Sequence, residues 1–169
     1  MKRFVERYFQ LLTALSALCL AAMVVLVFGN VVLRYGFNSG IAVSEELSRW
    51  LFVYVTFLGA IVAMREHGHL GVDSLVKRLP RLGRKLCLVA SLILMLLATA
   101  LFLHGSWLQT RINLGSTAPA SGLSVGLLYG VGVVFSVSVL LILAYELYRV
   151  LSGRVRDDEL VIVKESEEQ

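Results

Sequence analysis

The chain has 169 residues, 57% of them hydrophobic and 17% charged. Soluble domains carry about 45–50% apolar and about 25% charged residues, so this is the composition of a membrane protein; its length holds four crossings of ~20 residues and leaves no room for a soluble domain. The net charge of +4 comes from basic residues gathered at one set of helix ends, a topology signal rather than a nucleic-acid surface.

Met1 to Gln10 is a short lead-in, basic at Lys2, Arg3 and Arg7 and aromatic at Phe4, Tyr8 and Phe9. Residues 11–33 carry no charge and form crossing one, with Asn30 as its polar exception and Arg34-Tyr35 closing it. Cys19 follows a leucine, and the apolar run continues to Leu33, so this segment reads as a retained helix and not a cleaved signal. Cys19 and Cys87 both lie in apolar segments without a C-x-x-C pattern, as small buried hydrophobes do.

Residues 36–43 form a loop, and 44–64 form crossing two. Ser44 suits an N-cap, and Glu45 and Glu46 suit the positive end of the helix dipole. Trp50 to Met64 is uncharged but spans only roughly 22 Å at about 1.5 Å per residue, short of a ~30 Å hydrocarbon core. Leu47 and Ser48 must therefore count as well, which draws Arg49 about a turn below the surface. Its nearest partner on the helix is Glu45, one turn back. The cluster reads either as a cap with an intrahelical ion pair or as a contact for a partner subunit.

Crossing two ends at Arg65-Glu66-His67-Gly68. Beyond it Val72, Leu75, Val76 and Leu79 share one helical face, opposite Asp73, Ser74, Lys77 and Arg78. This predicts a short interfacial amphipathic helix over 72–79, stopped by Pro80. Lys77, Arg78, Arg81, Arg84 and Lys85 would face lipid headgroups. Residues 86–108 form crossing three, with Trp107 at an interface and His104 one turn inside. A turn-rich loop covers 115–121, crossing four runs over 123–147, and residues 149–169 are a tail whose acidic end reads as disordered. Residues 1–148 thus make one membrane domain.

Basic residues concentrate at the N-terminus, between crossings two and three, and after crossing four, while the other two loops hold only Arg34 and Arg111. Both termini and the central loop are therefore expected in the cytoplasm. The expected fold is all-α: four transmembrane helices plus the interfacial helix. Gly122, Gly126 and Gly130 recur at every fourth position, a spacing that lets another helix approach closely. The neighbour would be this chain's own helix or a partner's, unless the stripe only reflects the glycine richness of membrane helices.

Transport chemistry needs ionisable groups or broken helices near mid-membrane, and no crossing has an acid or base at its centre. His67 and His69, with Glu66 and Asp73, fit a polar exit turn better than a metal site, because H-x-H suits a strand and no second cluster completes it. His104 reads as a packing or interfacial histidine; a haem-bearing enzyme or electron carrier would need a second well-placed histidine. No hydrolase pattern or phosphate-binding glycine loop is present. No enzyme activity and no cofactor are expected.

Four motifs carry a family resemblance: N-x-x-x-R-Y at Asn30 to Tyr35, S-E-E-L-S-R at Ser44 to Arg49, T-F-L-G-A at Thr56 to Ala60, and R-E-x-x-H-x-x-V-D at Arg65 to Asp73. From about Val5 to Tyr148 the chain resembles the small membrane subunit, DctQ-like, of tripartite ATP-independent periplasmic (TRAP) transporters. The stretch before crossing four departs from the family: Ser124 stands where a second proline is usual, and Val125-Gly126 replace aromatics. The resemblance implies a bacterial inner-membrane protein working with a large multi-spanning subunit that holds the sodium and substrate sites. It also implies a periplasmic binding protein delivering a carboxylate, such as a dicarboxylate or sialic acid. The small subunit would brace the large one and help dock the binding protein. Candidate partner contacts are Arg34, Glu45, Glu46, Arg49, Gly122, Gly126 and Gly130. The rival reading is a small homo-oligomeric exporter.

Overall fold

The structure, a computed structural model, describes residues 2–66 and 81–152. It contains α1 (Lys2–Gly36), α2 (Ala42–Glu66), α3 (Arg81–Asn113) and α4 (Gly126–Leu151). All four are long and apolar enough to cross a membrane. The fold is all-α and multi-pass, as the composition requires. The helix expected over 72–79, with Lys77 and Arg78, lies outside the described residues, as do His67, His69 and the tail beyond 152. Arg81 and Arg84 fall in the first turn of α3, and Lys85 is exposed.

The helices outrun the crossings read from hydropathy. α1 and α3 have 35 and 33 residues, roughly 50 Å at 1.5 Å per residue, against a ~30 Å hydrocarbon core. Charge ends a crossing but not a helix, because Arg, Lys, Glu and Gln are good helix formers. The lead-in is accordingly part of α1 from Lys2 onward. Asn38 turns the chain after α1 with a left-handed backbone (φ 52°), which asparagine tolerates. The Phe37 and Ser39 N–H groups there both donate to the Leu33 carbonyl.

α1 packs on α2 and α3 on α4, and the two hairpins meet through α2 against α4. Phe9 and Leu12 of α1 bury against Leu58 and Ile61 of α2, with Phe135 and Ile142 of α4 beside them. Leu92 of α3 buries with Val139, Leu143 and Val150 of α4. Phe57, Phe102 and Phe135, one each from α2, α3 and α4, cluster with ring centroids 5.2–5.9 Å apart. The opposite faces expose Leu18, Val25 and Phe28 of α1, Leu94 and Leu101 of α3, and Leu141 of α4. Lipid tails are as apolar as leucine, so these faces carry no solvation penalty in a bilayer.

These contacts put the start of α1, the end of α2, the start of α3 and the end of α4 at one end of the bundle. The short links 37–41 and 114–125 lie at the other. Among the described residues, the polar contacts between elements concentrate at this linked end.

Candidate functional site: the polar linked end

Three side chains from the first turns of α2 organise this end. Ser44 does not cap α2, which already starts at Ala42. Its buried hydroxyl instead donates to the Leu26 carbonyl of α1 at 2.8 Å. Asn30, also buried, accepts from the Ile41 N–H at 2.8 Å through Oδ1 and donates through Nδ2 to Glu45 at 3.1 Å. One side chain thus closes the α1–α2 link and orients the acid behind it. Arg34 Nη1 lies 3.9 Å from the same Glu45 carboxylate, and both groups are more than half exposed.

Glu46 points the other way. It is 5% exposed and receives the Ala120 N–H at 3.0 Å, the Ser121 N–H at 3.3 Å and the Ser121 hydroxyl. A carboxylate accepts several donors at once, which neutral side chains do less well. The acceptor meets a folded turn. Thr117 bridges to Ser124, the Ala118 N–H donates to the Leu123 carbonyl at 2.8 Å, and Gly122 donates back to Ala118 at 3.0 Å. Gly122 has φ +72°, a conformation that favours glycine. Ser124 Oγ donates to the Leu114 carbonyl at 2.8 Å, closing the end of α3. Glu46 therefore ties the α3–α4 turn to α2.

Two sequence readings change here. Glu45 is not the partner of Arg49; it is engaged by Asn30 and Arg34, and Arg49 is exposed. The two neighbouring acids also divide: Glu46 is committed inside the chain, whereas Glu45 and Arg34 line an open cleft of about 250 Å³ between α1 and α2.

The glycine stripe is not a single face. Gly122 sits in the turn before α4. A Cβ on Gly126 would lie 3.1 Å from Leu114 Cα and the Thr110 carbonyl, so it lets α4 approach α3, whereas Gly130 has nothing within 4 Å. The glycine that sequence reasoning missed is Gly132. A Cβ there would come 2.8 Å from Ser106 Oγ. The available signal was a second small register, Gly132 with Ser136. His104 and Trp107 line a shallow groove between α3 and α4, with Ala100 and Val133. Asn30 and Ser121 were also undervalued, because their partners lie in distant segments.

Within the spans, several threonine and serine hydroxyls turn back on their own helices. Thr56 donates to the Phe52 carbonyl, Thr99 to Met95 and Ser136 to Gly132. Such bonds satisfy a polar group without making a site. The arrangement defines a multi-pass membrane subunit whose polar residues fix helix positions.

Comparison with known proteins agrees. The family model for the DctQ component of tripartite ATP-independent periplasmic transporters matches residues 23–153. A TRAP transporter small permease protein of Haemophilus influenzae is 47% identical over 133 residues, 77% of this chain and 83% of that protein. The C4-dicarboxylate TRAP transporter small permease of Vibrio cholerae is 36% identical over 93 residues, 55% of this chain and 40% of that one. A sialic acid TRAP transporter permease of H. influenzae is 34% identical over 79 residues, 47% of this chain but 13% of that protein. The chain belongs to the DctQ family, the small permease components of TRAP transporters. It is a bacterial inner-membrane protein of a transporter family, not an enzyme.

Proposed function

We propose that this chain is the scaffold subunit of a sodium-driven, binding-protein-dependent importer of organic acids, and that it braces a large transport subunit. Family membership supplies the frame. The observation that carries the scaffold role is that its polar groups serve helix placement: Glu46, Asn30 and Ser44 are all spent on joining helices. The match to a small fraction of a much longer sialic acid permease supports a large multi-spanning partner. The dicarboxylate and sialic acid names of two relatives support carboxylate substrates.

The positive-inside distribution supports an orientation with the linked end outside the cytoplasm and both termini within it. Arg34, Glu45 and Arg49, exposed at that end, are then the groups offered to the large subunit or to the periplasmic binding protein. The amphipathic sequence pattern of residues 72–79, with the basic residues Lys77, Arg78, Arg81, Arg84 and Lys85, supports a role in holding the subunit at headgroup depth.

A mild-detergent pull-down of the tagged chain from its native membrane, with mass spectrometry, tests the reading. Recovery of a large polytopic permease in roughly equal amount is the expected result. Recovery of this chain alone as a stable homo-oligomer overturns it in favour of a small exporter. Arg49→Leu should lower permease recovery while leaving insertion intact; unchanged recovery removes Arg49 from the interface.

A further inference from the structure

At the end of the bundle opposite the polar links, a cleft of about 760 Å³ opens between α1 and α2. Its size falls within the ~300–1,000 Å³ typical of small-molecule sites. The lining is graded along the helices. Glu6, Gln10 and Arg65 stand at its mouth, and Ala14, Ala17 and Val62 form its inner part. Thr13, between them, is turned to the backbone, its hydroxyl donating to the Phe9 carbonyl at 3.0 Å.

Among the described residues, the mouth holds one acid and one base. The Arg65 guanidinium sits 4.2 Å above the centre of the Phe9 ring, a cation–π contact that holds the cation in place while leaving its edge free to bind an oxyanion. Glu6 and Arg65 are both exposed, and among the described residues they form no ion pair with each other. Phe9 itself is buried against Leu58 and Ile61, so the platform under the guanidinium is rigid.

We propose that this cleft binds one phospholipid with a zwitterionic aminoethanol headgroup. The Arg65 guanidinium takes the phosphate, Glu6 takes the primary ammonium, and an acyl chain lies along Ala14 and Ala17 against Val62. Charge complementarity selects this occupant. An anionic lipid would meet Glu6 with like charge. A choline headgroup carries the same charges but has no N–H to donate to a carboxylate. A partner helix would have to bury the acid and the base at its edge, whereas the lipid answers both at headgroup depth.

The test uses the purified full-length chain in mild detergent, titrated with phosphatidylethanolamine, phosphatidylcholine and phosphatidylglycerol of identical acyl chains and read by native mass spectrometry. The expected order puts the ethanolamine lipid first by several-fold. Glu6→Gln should reduce its binding to the level of the choline lipid, and Arg65→Gln should weaken all three. Ala17→Leu fills the inner cleft without touching charge and should also weaken all three; Ala17 is exposed, so the fold is retained. Equal binding of the three lipids, preference for the glycerol lipid, or an ethanolamine preference that survives Glu6→Gln overturns the proposal. So does a photocrosslinker at Ala17 that captures a permease helix in the native membrane instead of lipid. None of these readouts depends on transport, so the scaffold reading and this site fail separately.

Discussion

Gly126 and Gly130 lie one turn apart on α4, and the structure gives their alanine variants opposite signs. Gly130→Ala adds a methyl group where nothing lies within 4 Å. Its effect reduces to helix propensity, a gain of about 0.5–1 kcal/mol. Gly126→Ala places a methyl 3.1 Å from the Thr110 carbonyl oxygen and the Leu114 Cα. These are backbone atoms and cannot swing aside as a side chain would. Overpacking of this kind costs about 1–3 kcal/mol, and Gly126 is the first residue of α4, where propensity returns little. The net loss should be about 1–2 kcal/mol, and Gly126→Leu should exceed it by separating α4 from α3. At about 2–4 °C per kcal/mol for a chain of this size, alanine at Gly126 lowers the melting midpoint by about 5 °C. Alanine at Gly130 raises it by about 2 °C on the same scale. Thermal unfolding in detergent, followed by the fluorescence of Trp50 and Trp107, reads both. Shifts of the same sign would refute the division of the stripe.

Other perturbations probe the polar ties. Asn30→Leu orphans the Ile41 N–H, a loss of about 1–3 kcal/mol, visible as a lower midpoint in the same melt; an unchanged midpoint means that the link closes without Asn30. Glu46→Ala frees the turn donors at Ala120 and Ser121 and should speed proteolysis between residues 114 and 125, whereas Glu45→Ala should leave cleavage at the wild-type rate. Equal rates in the two variants would show that the acids are not divided. Tyr8 bonds Ser138 at 2.8 Å, and Tyr54 donates to the Leu127 carbonyl at 2.8 Å. Bonds between membrane helices average about 0.6 kcal/mol, so Tyr8→Phe and Tyr54→Phe should each be mild and additive in the double variant; a supra-additive loss would mean that the two ties are coupled.

Whatever depended on one helix alone was legible in the sequence. Uncharged runs marked the four spans, because lipid demands apolar surface wherever a helix faces it. Helix ends were less legible, since α1 continues through the basic lead-in to Lys2 and no hydropathy signal distinguishes a wet helix turn from a loop. Positions set by a neighbour were hidden. Ser44 has the residue type of a cap, yet its hydroxyl goes to Leu26. Arg49 and Glu45 have the spacing of an ion pair, but Asn30 and Arg34 reach the acid instead. The glycine spacing was real, but Gly122 lies before the helix, and only packing separates Gly126 and Gly132 from Gly130.

The joint between the hairpins explains why the polar ties sit where they do. Apolar packing between membrane helices gains little over lipid contact, so a seam built only from α2 against α4 would leave the hairpins free to rock about it. Tyr8 on Ser138 fastens the first turns of α1 to the middle of α4. Glu46 on the 120–121 turn fastens α2 to the far hairpin at the linked end, and Tyr54 on Leu127 adds a second tie there. Along α4 these ties are separated by the stretch from Leu127 to Ser138, roughly 17 Å at about 1.5 Å per residue, and bonds spaced that far apart resist rotation as bonds at one level would not. A subunit that braces a moving partner needs that resistance, and on the scaffold reading it accounts for buried polar groups in a chain with no transport chemistry in its described spans.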